Sequence, residues 1–369
     1  MRAFSGHKLR ACHPAVPVIG CAAPCANPPS VLGLRAHCAF GHFYTPAHAH
    51  PFVLSAVHGR TPTAGDMILE AAPVAVAALA GVWALRQLAH WAILRGLRAP
   101  RIAHTQSPID QGMPSDAVQA VRLAGPGGKQ LFGWLISPSG ARARAAPAVL
   151  VMHGWGANAS LMGSVVPPLH TAGCAVLLLD ARCHGQSDGE AFTSMPRFAE
   201  DIAAGLAWLR TQPGIAADRI ALLGHSVGAA AALLHASRHH DVCAVVSLSA
   251  FAHPREVMRS FMAEKHVPYP VLGWYLMRHV QRVIGTCFDD IAPIHTIGGV
   301  HCPILLVHGS RDEIVPTHDA QRLLAASGHA QLLLVDADHD LRTALEAHGQ
   351  TLVDFLHAAC AVPVAAARA

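Results

Sequence analysis

The sequence predicts an α/β protein: a doubly wound, mostly parallel sheet, interrupted once by an insertion and preceded by a hydrophobic helix. Three observations carry that prediction. Short, nearly continuous apolar runs recur after residue 116, as strands buried on both faces do. Stretches of helical length alternate with them, the pattern of helices packed on a parallel sheet. Polar or glycine-bracketed loops follow four of the runs, and loops at the carboxyl ends of parallel strands are where such sheets keep their reactive groups.

The first two strands, at 118–123 and 130–136, flank Gly125-Pro126-Gly127-Gly128 and read as a β-hairpin. Further strands are expected at 148–152, 175–179, 220–223, 244–248, 303–307 and 331–335, with helices at 197–210, 227–237, 318–326 and 341–359. The resulting domain spans 117–360, with 361–369 as a tail. A chain of 369 residues accommodates it, since one large α/β domain takes about 250.

Composition excludes several classes. With 52% hydrophobic and 14% charged residues, most of the chain cannot be disordered, and it leans towards membrane contact. The net charge of +4 is held by residues 1–66, where Arg2, Lys8, Arg10, Arg35 and Arg60 face Asp66 alone. The remainder is neutral, so no nucleic-acid partner is expected. The ten cysteines are too sparse for a disulfide scaffold, and the six beyond residue 66 (Cys174, Cys183, Cys243, Cys287, Cys302, Cys360) are scattered singly. Reduced thiols in a cytosolic domain are therefore expected.

Residues 1–66 lack periodicity and read as a disordered leader, or as an over-extended start with Met67 the true first residue. Cys21, Cys25, His37, Cys38, His48 and His50 could be drawn into a metal site, but their spacing fits no fixed zinc geometry, and no metal is expected. Residues 71–85, AAPVAVAALAGVWAL, carry no charge. The run is slightly short of the ~20 residues that span a bilayer, and interfacial Trp91 and a snorkelling Arg86 extend it. Residues 67–95 are thus expected to form a single-pass membrane anchor. A membrane-surface or core helix and a signal peptide are the alternatives, the last disfavoured by Glu70 where a basic segment belongs. Arg95, Arg98 and Arg101 on the C-terminal side predict a cytoplasmic catalytic domain, with a soluble cytoplasmic protein as the alternative. Residues 96–116, with three prolines, form a linker, and every motif below lies beyond Ser107.

The run at 220–223 leads into Gly224-His225-Ser226-Val227-Gly228 and then a small-residue helix, which is G-x-S-x-G between strand and helix. The chemistry needs a sharp turn that lifts the serine oxygen clear, with glycines where a Cβ would collide. After 148–152 comes His153-Gly154-Trp155-Gly156-Ala157-Asn158, a loop able to present a backbone N–H to a developing oxyanion; an ordinary glycine turn with an Asn cap would look similar. Asp180-Ala181-Arg182-Cys183-His184-Gly185-Gln186-Ser187 follows 175–179 and reads as structural bracing. After 303–307 and 331–335 stand Asp312 and His339, a carboxylate and an imidazole. A serine hydroxyl needs a neutral imidazole to take its proton, and the imidazole needs a carboxylate to fix its tautomer. Glu313 is the rival acid, expected to point into solvent. Only position after the last strand singles out His339 among 27 histidines.

As a set, HGWG, GHSVG, HGSRDEIVP and DADHD resemble the α/β-hydrolase superfamily, in its serine aminopeptidase-like and monoacylglycerol-lipase-like branch, over about residues 117–360. The resemblance implies an α/β-hydrolase fold, with Ser226 as nucleophile, His339 as general base and acid, and Asp312 as orienting carboxylate. It also implies the backbone amides of Trp155 and Val227 as oxyanion donors, and a lid in the insertion at 251–296. That insertion holds two of the three tyrosines in the chain, and Met258, Phe261, Tyr269 and Trp274 are expected to line an apolar acyl or aryl pocket, although helices packed on a sheet need the same residues. The expected activity is hydrolysis of small-molecule carboxylic esters through an acyl-enzyme, with no cofactor required. A peptidase or amidase is the alternative within catalysis, and a non-catalytic binding or scaffold protein the alternative outside it.

Overall fold

The computed structural model describes residues 64–138 and 145–361; the cysteine-histidine set of the leader and most of the C-terminal tail lie outside them. A long helix, α1 (Ala64–Gly96), leads into the hairpin strands β1 (Val118–Ala124) and β2 (Gln130–Ile136) and then β3 (Ala146–Met152). Next come α2 (Val166–Thr171), β4 (Ala175–Leu179), α3 (Met195–Leu209), β5 (Ile215–His225), α4 (Val227–His239) and β6 (Val245–Leu248). The insertion holds α5 (Pro254–Glu264), α6 (Trp274–Ile284) and the single turns α7 (Phe288–Ile291) and α8 (Pro293–Thr296). The chain closes with β7 (Ile304–Gly309), α9 (Thr317–Ser327), β8 (Gln331–Val335), α10 (Arg342–Ala347) and α11 (Gly349–Ala359).

The eight strands form one sheet in the order β1-β2-β4-β3-β5-β6-β7-β8. β1 and β2 pair antiparallel, β2 pairs antiparallel with β4, and every later pairing is parallel. Alternate residues of the central strands enter two cores. Leu150, Leu177 and Leu222 pack with Phe198, Ile202 and Leu206 of α3 and the alanines of α4, while Val149, Leu178 and Leu223 pack with Leu169 of α2 and Leu352 and Leu356 of α11. Burial on both faces is what makes these strands read as continuous apolar runs. Because β3 lies between β4 and β5, the chain reverses direction across the sheet there, and the loops ending β3 and β5 open onto one crevice.

The linker is tied to this domain. Asn158 Nδ2 donates to the carbonyls of Ile102 and Ala103, and His104 Nε2 lies 2.8 Å from Asp180 Oδ2. In α1, by contrast, Val74, Val76, Leu79, Val82, Trp83, Leu85 and Leu88 are all more than 60% exposed. Among the described residues of the helix, Ile93 alone is buried, at 8% exposure. The segment Ala71–Gly96, with a mean hydropathy of 1.4, is long and apolar enough to cross a membrane.

One expectation is corrected. Cys243, two residues before β6, and Cys360, after α11, are joined in a disulfide with their Cα atoms 5.3 Å apart, where reduced thiols were expected. The two stand 117 residues apart, so their spacing carried no signal; the fold brings them together beneath the sheet.

Asp241 ties α3 to α4, with Oδ1 2.9 Å from His235 Nε2 and Oδ2 2.9 Å from Arg210. Burial alone would raise its pKa, but the His235 and Arg210 partners outweigh burial and lower it from 3.8 to about 2. A folded-state pKa below the unfolded value gives stability that is present above about pH 4 and is lost as pH falls through about 2. Asp241→Asn is therefore expected to cost about 1–2 kcal/mol at neutral pH and progressively less towards pH 2. Denaturant melts at pH 7, 4 and 2 check this; an equal loss at all three refutes it.

Candidate active site

Ser226 caps β5 and opens α4 with φ 53° and ψ −116°, a backbone conformation that L-residues avoid and that costs about 1–3 kcal/mol. The turn is held by its neighbours. The Ser226 amide donates to Leu248 O at 2.8 Å, a Cβ on Gly224 would lie 2.4 Å from Gly228 O, and one on Gly228 would lie 2.4 Å from His153 O. Only glycine fits at either place, which accounts for both glycines of the motif. The serine is left partly exposed at the carboxyl end of the sheet.

The loop after β3 lies against this turn: a Cβ at Gly154 would stand 3.2 Å from Ser226 Cβ and 3.1 Å from His225 Nδ1. Among the described residues no hydrogen bond uses the amides of Trp155 or Val227, so both N–H groups remain available. Two buried imidazoles shape the loop. His153 Nδ1 donates to Gly154 O at 2.7 Å while Nε2 accepts from the Ala181 amide, and His184 Nε2 accepts from the Gly156 amide at 3.2 Å. Burial, reinforced by His184, lowers the pKa of His153 to about 3, so its ring is neutral and serves both bonds. Asp180 accepts from the amides of Ala159 and Gln186, and Arg182 pairs with Asp201, Glu190 and Glu200, the bracing expected of this segment.

Across the crevice, His339 Nδ1 donates to Asp312 Oδ2 at 2.8 Å, and Asp312 Oδ1 accepts from the amides of Ile314 and Val315 at 2.9 and 2.8 Å. Burial alone would raise the Asp312 pKa, but His339 and the two amides outweigh it and hold the carboxyl below its usual range. Since the proton shared with a carboxylate sits on Nδ1, the lone pair of His339 is on Nε2. Glu313 is exposed and makes no described bond. His225 carries the serine turn to this pair: its Nε2 donates to His339 O at 2.8 Å, and the two rings stand 5.0 Å apart. Burial lowers the His225 pKa to about 4, so this link stays neutral. No described hydrogen bond joins Ser226 Oγ to His339; the two groups are neighbours through His225.

His225 and His153 had no role assigned from sequence, although each sits inside a motif, whereas His184 belongs to the segment read as structural bracing. The four candidate pocket residues differ in exposure. Met258 and Tyr269 pack partly buried against the core, while Phe261 and Trp274 are 60% and 57% exposed.

A family model described as serine aminopeptidase, S33, matches residues 143–293. An uncharacterized protein of Mycobacterium tuberculosis is 32% identical over 208 residues, which is 56% of this chain and 66%, just under two thirds, of the relative. Among solved structures, the Pyrococcus furiosus esterase Pf2001 is similar with a TM-score of 0.57 at 21% identity, covering 72% of this chain and 98% of its own. Est1E of Butyrivibrio proteoclasticus, in its complex with ferulic acid, is similar with a TM-score of 0.54 at 21% identity, covering 66% of this chain and 100% of its own. The resemblance to the α/β-hydrolase superfamily, in its serine aminopeptidase-like branch, holds, and the fold is the α/β-hydrolase fold.

Proposed function

We propose that this protein is a serine hydrolase cleaving carboxylic esters with an apolar acyl or aryl group through an acyl-enzyme on Ser226. The observation that carries this reading is the strained serine turn, set between a loop with unused amides and a carboxylate-bound imidazole. A binding protein has no use for a strained serine, which disfavours the scaffold alternative. Ser226 Oγ attacks the ester carbonyl as His339 Nε2 takes its proton, and the amides of Trp155 and Val227 receive the oxyanion. The imidazolium, stabilised by Asp312, protonates the departing alcohol. Water, deprotonated by the same imidazole, then attacks the acyl-enzyme and frees Ser226. Every proton passes through His339, so the chemistry calls on no cofactor. Met258, Phe261, Tyr269 and Trp274 are the candidates for contact with the acyl or aryl group, and the similarity to the esterase Pf2001 and to Est1E bound to ferulic acid supports that substrate class. Fluorophosphonate labelling followed by a chain-length series of p-nitrophenyl esters tests the reading; absence of both labelling and ester turnover refutes it.

The serine aminopeptidase description favours a second reading, amide cleavage. Matched p-nitrophenyl ester and p-nitroanilide substrates decide between the two. Ester cleavage asks less of leaving-group protonation, so the ester is expected to be the better substrate.

The exposed apolar length of α1 supports a membrane anchor over residues 67–95. Full-length protein is expected to sediment with membranes, and a chain beginning at Leu88 to remain soluble and active. That cut preserves Ile93 in the core and the bonds of Ile102, Ala103 and His104, whereas one near Ser107 removes them. Sedimentation of both chains alike would sink the anchor. The arginines after the apolar run support a cytoplasmic domain, while the Cys243–Cys360 disulfide favours the oxidising side. A reporter fused after Ala361 decides: a signal confined to one active outside the cytoplasm overturns the cytoplasmic assignment.

A further inference from the structure

The anchor helix meets the inserted helix α6 through an unusual pair. His90 Nδ1 of α1 lies 3.0 Å from His279 Nε2, and the rings stand edge to face 5.2 Å apart. Beside the pair runs a cleft of about 370 Å³ whose walls include Trp83, Arg86, Gln87, His90, His279 and Arg282. His279 is 8% exposed. Burial first, then His90, Arg282 and Arg86, depresses its pKa, and no carboxylate appears among these influences. Residues 71–96 and 274–284 contain no Asp or Glu, and among the described residues Arg86 and Arg282 form neither an ion pair nor a hydrogen bond. Two guanidinium groups converging on two imidazoles without an acid repel one another, and that arrangement is relieved by an anion.

Depth and lining specify the anion. Arg86 directly follows the uncharged run 71–85, whose length at 1.5 Å per residue is about 22 Å, and Trp83 and Trp91 bracket it as interfacial aromatics do. The arginine therefore stands where headgroups meet hydrocarbon. A wider cleft of about 790 Å³ shares Arg86, His279 and Arg282 and adds Val82, Leu85, Ala89 and Tyr275. A cationic wall suited to phosphate oxygens thus adjoins an apolar wall suited to a hydrocarbon chain, a combination that a free phosphate does not need.

We infer that the groove between α1 and α6 binds the phosphate of an anionic phospholipid headgroup, with Arg86 and Arg282 as its charged partners and the lipid's chain along Val82, Leu85 and Ala89. This rests on the membrane reading of α1. Since α6 belongs to the insertion between β6 and β7, a bound headgroup fastens that insertion to the bilayer surface.

Full-length protein in non-ionic detergent, mixed with equal phosphatidylglycerol and phosphatidylcholine and read by native mass spectrometry, tests the site. Wild type is expected to retain phosphatidylglycerol about tenfold to thirtyfold over phosphatidylcholine. Arg86→Gln with Arg282→Gln should abolish that preference, the paired lysine substitutions should keep most of it, and Arg238→Gln, on α4, should keep all of it. Unchanged fluorophosphonate labelling reports that each variant is folded. Equal retention of the two lipids by wild type, an undiminished preference in the glutamine variant, or competition by glycerol 1-phosphate as strong as by phosphatidylglycerol overturns the assignment. Sedimentation with phosphatidylcholine vesicles reads the anchor separately, so loss of anchoring and loss of headgroup selectivity are distinct outcomes.

Discussion

Ser226→Ala is expected to abolish fluorophosphonate labelling and to lower kcat on p-nitrophenyl esters by about four to six orders of magnitude, because in the proposed mechanism Ser226, His339 and Asp312 act as one unit. The variant should fold. Alanine keeps the Cβ, and the turn is held by backbone contacts: the Ser226 amide on Leu248 O, and the close packing of Gly224 on Gly228 and of Gly228 on His153 O. Stability should change little, since the φ of 53° is as strained for alanine as for serine. Comparable turnover by purified wild type and Ser226→Ala, at matched thermal midpoints, would eliminate the mechanism. A residual rate above that in water would remain consistent with it, because the amides of Trp155 and Val227 still receive an oxyanion when water attacks.

The central strands were legible because burial on both faces leaves a run of apolar residues with no alternation to interpret. The amino-terminal half of β5 was not, since Asp218 and Arg219 interrupt the run although the backbone stays paired with β3 at Ile215. The helix α2 was hidden by Pro167 and Pro168, which read as breakers but stand in its first turn, where no amide is needed. The stretch at 341–359 reads as one helix and is two, parted at His348. Residues 251–296 defeated periodicity because Pro254, Pro268, Pro270, Pro293 and the left-handed Gly285 after α6 leave helices of only 4 to 11 residues. The residues of the proposed mechanism, Ser226, Asp312 and His339, stand out in sequence by their places after strands; most of the side chains packed around them do not. His225 and His153 owe their places to burial and to their hydrogen-bond partners, which spacing does not encode.

Asp312→Asn is expected to lower kcat by about four orders of magnitude, and Glu313→Gln by no more than about twofold. The two residues are adjacent, and the ranking follows from where each side chain goes. Asp312 is 7% exposed and accepts three hydrogen bonds, from His339 Nδ1 and the amides of Ile314 and Val315, while Glu313 stands in solvent. An amide at position 312 removes the charge that stabilises the imidazolium. It can also turn its NH₂ towards His339, which moves the imidazole proton to Nε2 and leaves no lone pair for the serine. His308 strengthens the contrast: its Nε2 donates to Val315 O at 2.9 Å and lies 3.4 Å from Asp312 Oδ2, so the carboxylate site is built for an acceptor. The lesion should appear in kcat with KM nearly unchanged, because Asp312 acts through His339 rather than on the ester, and Asp312→Glu should recover activity only in part, its longer side chain displacing the imidazole. If Glu313→Gln proves the worse lesion, the acid is misassigned even where Ser226 and His339 survive as nucleophile and base. If both variants are near wild type, the imidazole needs no carboxylate, and the reading of the Asp312–His339 pair fails with it.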